Sequence, residues 1–190
     1  MLTGRLVRLE PLSLAHLDDL CTVGLDPELW RWIPNQVVTR EDMRRYIEAA
    51  LREQAAGVSL PFAVIHRESG RAIGSTRYGN INLPNKRVEI GWTWYAQAFQ
   101  RTPVNTECKL LLLAHAFERL GMIRVEFKTD ALNEKSRNAL SRIGAVQEGI
   151  FRKHLICESG RIRDTIYFSI LDSEWPEKKR ALQHRLGCKQ

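Results

Sequence analysis

The hydrophobic period of the chain changes once, near residue 60, and that change limits the folds open to it. Before it, apolar residues recur at helical spacing. Leu14, Leu17 and Leu20 follow Ser13, a good helix cap, and predict a helix through Val23. Thr39 with Glu41 and Asp42 opens a second helix, predicted to reach about Ala56 and stop at Gly57. After it the pattern becomes that of strands. Pro61 to His66, Arg71 to Ile81 and Arg87 to Tyr95 read as three strands, the first two joined by a turn at Ser69-Gly70. In the third, Val88, Ile90, Trp92 and Trp94 are expected on one face, and Glu89, Gly91, Thr93 and Tyr95 on the other. Gly91 inside this strand points to a bulge or a close backbone approach.

A loop from Ala96 to Thr102 leads into Thr102-Pro103, a cap followed by the one helical position where proline loses no hydrogen bond. The Leu-rich helix that follows runs to Leu120 and ends at Gly121. Ile123 to Thr129 is a short strand. Asn133 caps a helix from Glu134 to Ile143, closed by Gly144. Ala145 to Cys157 and Arg161 to Leu171 form a hairpin about Glu158-Ser159-Gly160. At the start, Gly4 to Leu12 suits a half-exposed strand. Asp26-Pro27 and Ile33-Pro34 punctuate a loop carrying Trp30 and Trp32. From Asp172 the chain is charged and interrupted by Pro176, which predicts a short surface helix. Strand, two helices, three strands, helix, strand, helix and two strands make one α+β domain over residues 1–171, with residues 172–190 as a C-terminal tail.

Composition narrows the function. The 190 residues are 44% apolar and 27% charged, which excludes a disordered or fibrous chain. The longest apolar run, Leu110 to Ala114, falls far short of the roughly 18 residues of a bilayer span. Met1 to Glu10 is charged and lacks an apolar centre, so it does not read as a signal peptide. Cys21, Cys108, Cys157 and Cys188 form no C-x-x-C pair; reduced thiols in the cytoplasm and no zinc site are expected. The net charge of +7 is unevenly placed. Residues 1–60 carry seven Lys/Arg against nine Asp/Glu, and residues 61–190 carry 22 against 13. The basic region attracts an anionic ligand; the acidic first third suits an amine or a cationic peptide. Aromatic and basic residues do not interleave as in nucleic-acid binders, so no nucleic-acid partner is expected.

Three segments can carry chemistry. Gln100-Arg101-Thr102-Pro103-Val104-Asn105-Thr106-Glu107 follows a strand and opens a helix, an arrangement whose free N–H groups bind phosphate, or simply a capped helix start. Asn133 and Ser136 share one side of a first helical turn, where Asn133 also serves as an ordinary cap. Glu89, two residues before Gly91, can accept a proton from an amine directly or through water, or be half of an ion pair. Neither Cys108 nor Cys157 has a clear basic partner, so no nucleophile constellation is evident.

Taken with Gly4-Arg5-Leu6-Val7-Arg8-Leu9, Ile73-Gly74, Glu89-Ile90-Gly91, Thr106-Glu107, His115-Ala116-Phe117-Glu118-Arg119-Leu120-Gly121, Asn133-Glu134-Lys135-Ser136 and Gly144-Ala145-Val146-Gln147-Glu148-Gly149, these segments resemble the GNAT superfamily of N-acetyltransferases. The resemblance is to the branch of ribosomal-protein alanine N-acetyltransferases and spans nearly the whole chain. It implies a mixed, largely antiparallel, bent central sheet flanked by helices. It also implies acetyl-CoA as co-substrate, held where the strand from Ile90 to Trp94 splays from the next strand near Val125. Backbone groups of Trp92 and Trp94 would hold the pantetheine and acetyl carbonyl, and Gln100, Arg101, Thr102, Val104, Asn105 and Thr106 the pyrophosphate. Asn133 would contact the coenzyme, Ser136 would protonate the leaving thiolate, and Glu89 would be the base. Trp30 and Trp32 would shape the acceptor site. No metal is implied.

Gln100 matches the family's phosphate loop, but Pro103 stands where glycine is usual and Asn105 where glycine or alanine is. Direct transfer to a protein or peptide α-amine is the expected activity. A small amine or aminoglycoside acceptor, and a non-catalytic acyl-CoA-binding module, are the alternatives. The hairpin and tail are the expected contacts of a homodimer.

Overall fold

A computed structural model describes residues 1–187. Among these, strands β1 (Leu2–Thr3), β2 (Val7–Pro11), β3 (Leu60–His66), β4 (Ala72–Asn82), β5 (Arg87–Tyr95), β6 (Arg124–Asp130), β7 (Val146–Ile156) and β8 (Ile162–Leu171) form one sheet. Its order is β1-β2-β3-β4-β5-β6-β8-β7, antiparallel except where β5 runs parallel to β6. The helices are α1 (Leu17–Gly24), α2 (Pro27–Trp30), α3 (Arg40–Ala55), α4 (Pro103–Ala114), α5 (Glu134–Arg142) and α6 (Trp175–Arg185). This is the α+β class, with the mixed and largely antiparallel sheet, expected from the element order and the resemblance.

Two cores lie on the two faces of the sheet. Phe62 and Val64 of β3 pack with Leu112, Leu113 and Ala116 in one; Ala63 and Ile65 pack with Leu17, Leu20, Met43 and Ile47 in the other. A strand covered on both faces reads as a continuous apolar run, which is how Leu60–His66 is written. The α3 helix starts where its cap predicts: Thr39 and Asp42 form a reciprocal capping box. The β2 end of the sheet is fastened to α4 by the buried Glu107 carboxylate, which accepts the N–H groups of Arg5, Leu6 and Val7 at 2.7–2.8 Å. Beyond Ala114 the helix widens into a π turn over His115–Arg119 and ends at Gly121, whose φ of 63° suits glycine.

Two segments differ from the sequence reading. Asp26-Pro27 begins the one-turn helix α2, because the Asp26 carboxylate caps the Glu28 N–H and the proline sits in the first turn. Pro176 likewise starts α6 instead of interrupting it. That helix is not confined to the surface: Trp175 and Leu182 join the core against α4, and the Trp175 indole donates to Glu118 at 2.6 Å. Cys21, Cys108 and Cys157 are free thiols; Cys188 and the end of the tail lie outside the described residues. No helix among the described residues is long and apolar enough to cross a membrane.

Candidate active site

The site begins where β5 leaves β6. The two strands pair only at Arg87–Arg124, Val88–Val125 and Glu89–Glu126, so they separate a single residue beyond the Val125 level. Along the other edge of β5 the register with β4 slips: Arg77 faces Gly91, but Ser75 faces Trp94. One extra residue on β5 makes a bulge, and a bulge bends its strand. The residue with left-handed backbone is Trp92, at φ 49°, not Gly91. Packing holds this costly conformation. The Trp92 ring covers Gly79, where an added Cβ would come within 2.4 Å of it, and the Arg77 guanidinium lies 4.9 Å from the ring centroid. The bulge also reverses the alternation. Val88, Ile90 and Tyr95 belong to the α4-side core, whereas Trp94 belongs to the core of α1 and α3, so Trp92 and Trp94 do not share the face of Val88 and Ile90 as expected.

The diverging strands open a cleft of about 940 Å³. Their facing edges, β5 from Ile90 and β6 from Phe127, keep backbone groups outside the ladder that joins them at Glu89. The start of α4 closes one end. Gln100, Arg101, Thr102 and Asn105 line the cleft. Gln100 is set by its amide donating to the Tyr95 carbonyl at 3.2 Å, and Asn105 by accepting from the Tyr95 hydroxyl at 3.2 Å. Arg101 adopts φ 60° at the turn into the helix. Thr102 caps the helix by accepting the Val104 N–H at 3.3 Å. Val104 is buried with its N–H taken, and Thr106 lies outside the cleft wall, so neither reaches the cleft as the loop resemblance implied. A helix N-terminus with Arg101 and Lys135 beside it is a suitable seat for pyrophosphate.

A second helix start faces the same cleft. Asn133 caps α5, its side-chain oxygen accepting the Ser136 N–H at 3.1 Å. Both residues line the cleft, and the Ser136 hydroxyl makes no hydrogen bond to another described residue. Below them Lys109 of α4 is buried. It donates to the Thr93 hydroxyl at 3.0 Å, sits 5.7 Å from the Phe127 ring centroid, and has its pKa lowered to about 8 by burial. Burial pushes the neighbouring Cys108 thiol up to about 12, which leaves it inert as a nucleophile.

Glu89 is 5% exposed and lines the cleft. Its Oε2 accepts from Asn80 at 2.6 Å and from Lys128 at 2.7 Å. Its Oε1 lies against Gly91, where an added Cβ would approach it to 2.9 Å, and takes no hydrogen bond from a described residue. Burial works against the Lys128 charge, but the Glu89 carboxylate beside it leaves its pKa raised on balance. At the mouth, Trp32 lines the cleft with Arg31 and Arg161 at 5.1 and 5.3 Å from its ring. Trp30 does not line it. The turn of α2 buries it, its indole donating to the Gly24 carbonyl at 2.8 Å and its ring packed on Tyr46 and Trp94.

Residues 6–146 match the family described as acetyltransferase (GNAT) domain. The chain belongs to the GNAT acetyltransferase family. A GCN5-related N-acetyltransferase structure from Brucella melitensis shares the fold with a TM-score of 0.89 and 36% identity, over 96% of this chain and 83% of that one. The Bacillus subtilis (strain 168) protein YdaF, whose name marks it provisionally as a ribosomal N-acetyltransferase, is 34% identical over 58% of this chain and 59% of its own length. A structure of Mycobacterium smegmatis RimJ in complex with CoA-disulfide has the same fold, with a TM-score of 0.81 at 22% identity over 95% of this chain and 89% of that one. The YdaF name agrees with the resemblance to the ribosomal-protein branch. As a GNAT acetyltransferase the chain is an enzyme of the acetyl-CoA-dependent class.

Sequence reasoning missed several polar residues of this GNAT cleft, among them Asn80, Lys109, Lys128, Arg163 and Thr165. One of them carried a readable signal. Lys109 interrupts the buried stripe of a Leu-rich helix, where a charge needs a reason. The others look like ordinary outward strand residues until their neighbours are known.

Proposed function

We propose that this enzyme moves the acetyl group of acetyl-CoA directly to the α-amine of a protein or peptide N-terminus. The observation that carries the reading is the arrangement around the divergence of β5 and β6: two helix starts at one end, and a buried carboxylate with a free oxygen on the other wall. The coenzyme supplies an activated acetyl thioester. Arg101 and the α4 start hold its phosphates, and the free edge of β5 at Trp92 and Trp94 aligns its amide-bearing arm. Asn133 borders the same path. Glu89 Oε1 takes a proton from the acceptor ammonium, directly or through water, while Asn80 and Lys128 fix the other oxygen. As the C–N bond forms and the C–S bond breaks, the Ser136 hydroxyl donates to the departing thiolate.

Trp32 and the open mouth suit a chain end, and the ribosomal names among the relatives point the same way. We place the enzyme in the cytoplasm. A homodimer contact would fall on β7, an edge strand that exposes Ile150 and Phe151. The test is thiol release from acetyl-CoA with a panel of N-terminal peptides, small amines and aminoglycosides. Release with peptides above the others is expected. Calorimetric coenzyme binding without release for any acceptor would make the chain a non-catalytic acyl-CoA binder.

A further inference from the structure

Arg163 on β8 is a guanidinium without a satisfied partner. It is 6% exposed and lines the cleft, yet none of its donors makes a hydrogen bond to a described residue. Its Nε is fully enclosed and unpaired. The nearest carboxylate, Asp130, stands 4.0 Å from that Nε and is already engaged: it accepts from Arg161 at 2.5 Å and from the Leu132 N–H at 2.9 Å. Two residues along β8, the buried Thr165 hydroxyl also lines the cleft and also lacks a partner. Native proteins pair nearly all such groups, and a buried charge is costly when left alone. The cost registers in Arg163 itself: burial lowers its pKa despite the attraction of Asp130, Cys157 and Glu89. Arg161, Arg163 and Lys128 gather here against the carboxylates of Glu89 and Asp130, with Glu126 also near Lys128. The other buried arginine, Arg77, also has an enclosed and unpaired Nε, but its Nη1 donates to Glu53 at 2.9 Å and its guanidinium stacks on Tyr46 and Trp92, whereas no donor of Arg163 has such a partner.

We infer that the Arg163 guanidinium forms a carboxylate-binding subsite on the acceptor wall, selecting acceptors that carry a carboxylate a few bonds from the reacting amine. A guanidinium matches a carboxylate in shape and charge. The carboxylate is either an acidic side chain beside a peptide N-terminus or the α-carboxylate of a free amino acid. The inference rests on the proposed acceptor face, because Arg163 lines the same cleft as Glu89, the proposed base.

Two acceptor pairs test it: peptides beginning Ala-Asp against Ala-Asn, and free alanine against alaninamide. In at least one pair the wild-type kcat/KM should favour the carboxylate by on the order of tenfold to a hundredfold, the range for hydrogen bonds to charged groups. The ratio should fall toward one in Arg163→Gln and recover partially in Arg163→Lys. Preference in the peptide pair alone assigns the subsite to a side chain, and in the amino-acid pair alone to an α-carboxylate. Equal rates within both pairs, or a preference that survives Arg163→Gln, overturns the inference. If no acceptor is turned over, the transfer reading fails separately, and calorimetric titration of the two peptides decides this one: tighter Ala-Asp binding lost in Arg163→Gln supports it, and equal binding overturns it. A lower thermal midpoint in Arg163→Gln with no change in preference identifies a structural cation and also overturns it.

Discussion

The two walls of the cleft are built on opposite plans. On the α4 wall the polar groups answer one another: Thr102 caps Val104, Gln100 bonds the Tyr95 carbonyl, Asn105 accepts from the Tyr95 hydroxyl, and Lys109 donates to Thr93. On the opposite wall, from Glu89 on β5 to Arg163 and Thr165 on β8, several are left open: Glu89 Oε1, the Arg163 guanidinium and the Thr165 hydroxyl. A wall whose side chains are tied to each other offers a ligand chiefly backbone and helix charge, which suits the constant phosphates of a coenzyme. A wall with unanswered side chains offers specific charge, which suits proton transfer and choice of acceptor. The comparison therefore assigns binding to one side and chemistry with selectivity to the other.

The largest expected effect follows from that division. Glu89→Gln keeps the shape and the Asn80 contact but removes the base. It should lower kcat by about 10²–10⁴-fold, the usual range for a general base, and leave coenzyme affinity nearly unchanged. Stopped thiol-release assays and calorimetry on the same preparation check this. A drop in coenzyme affinity with kcat intact would break the division.

Next in size is Lys109, which lies beneath both walls. Burial lowers its pKa to about 8, below its value in an unfolded chain. Below pH 8 both states hold the proton, and the folded protein bears a buried ammonium. Between about pH 8 and 10.4 the unfolded chain binds more protons, so this residue's contribution to stability rises with pH across that window. Lys109→Met should therefore be more stable than the wild type at pH 7, by about 3 kcal/mol if the whole shift is realised, with the gap closing toward pH 10. Urea midpoints of the two proteins at pH 7 and pH 10 give the comparison. An equal gap at both values would mean that the Thr93 bond, rather than burial, governs this lysine.

How far the cleft could be read beforehand depends on whether a residue's role is local. The limits of β5 follow from its alternation, and the caps Thr39, Thr102 and Asn133 follow from the chemistry of helix starts; each appears as written. The bulge is signalled by Gly91, but its conformation is not, because the left-handed residue is the tryptophan beside it, packed on Gly79 and Arg77 from a different strand. Trp30 and Trp32 look alike in a proline-bounded loop, yet a single turn of helix buries the first and leaves the second at the mouth. Arg163 is the extreme case. Alternation can give its face on β8, but only the tertiary arrangement shows that its nearest carboxylate is already bonded to Arg161.

Ser136 tests the coenzyme side. Its hydroxyl is free among the described residues, an exception on a helix start otherwise tied to itself. Ser136→Ala should lower kcat by about 10²-fold, as loss of a single donor to developing charge typically does, with little change in the KM for acetyl-CoA. An acetyl donor with a more acidic leaving thiol should be less sensitive to the substitution, because it needs less help in departing. Equal sensitivity to both donors would reassign Ser136 to binding.

The smallest effect should come from Tyr95, whose hydroxyl belongs wholly to the α4 wall. Its ring is buried in the α4-side core, and burial, with Cys108 beside it, holds its pKa well above the ordinary tyrosine value, so it stays a neutral donor across any working pH. Tyr95→Phe keeps the ring and removes the bond to Asn105 together with the contact to the Cys108 thiol, at a cost of about 1 kcal/mol in stability. Because Asn105 then loses its anchor at the coenzyme end, the KM for acetyl-CoA should rise by a small factor while kcat and the preference among acceptors stay the same. Steady-state kinetics with two acceptors separate these quantities. A change in acceptor preference would show that the two walls are coupled through β5, whose bulge at Trp92 lies between Tyr95 and Glu89, and the division of labour would then belong to the strand rather than to its two sides.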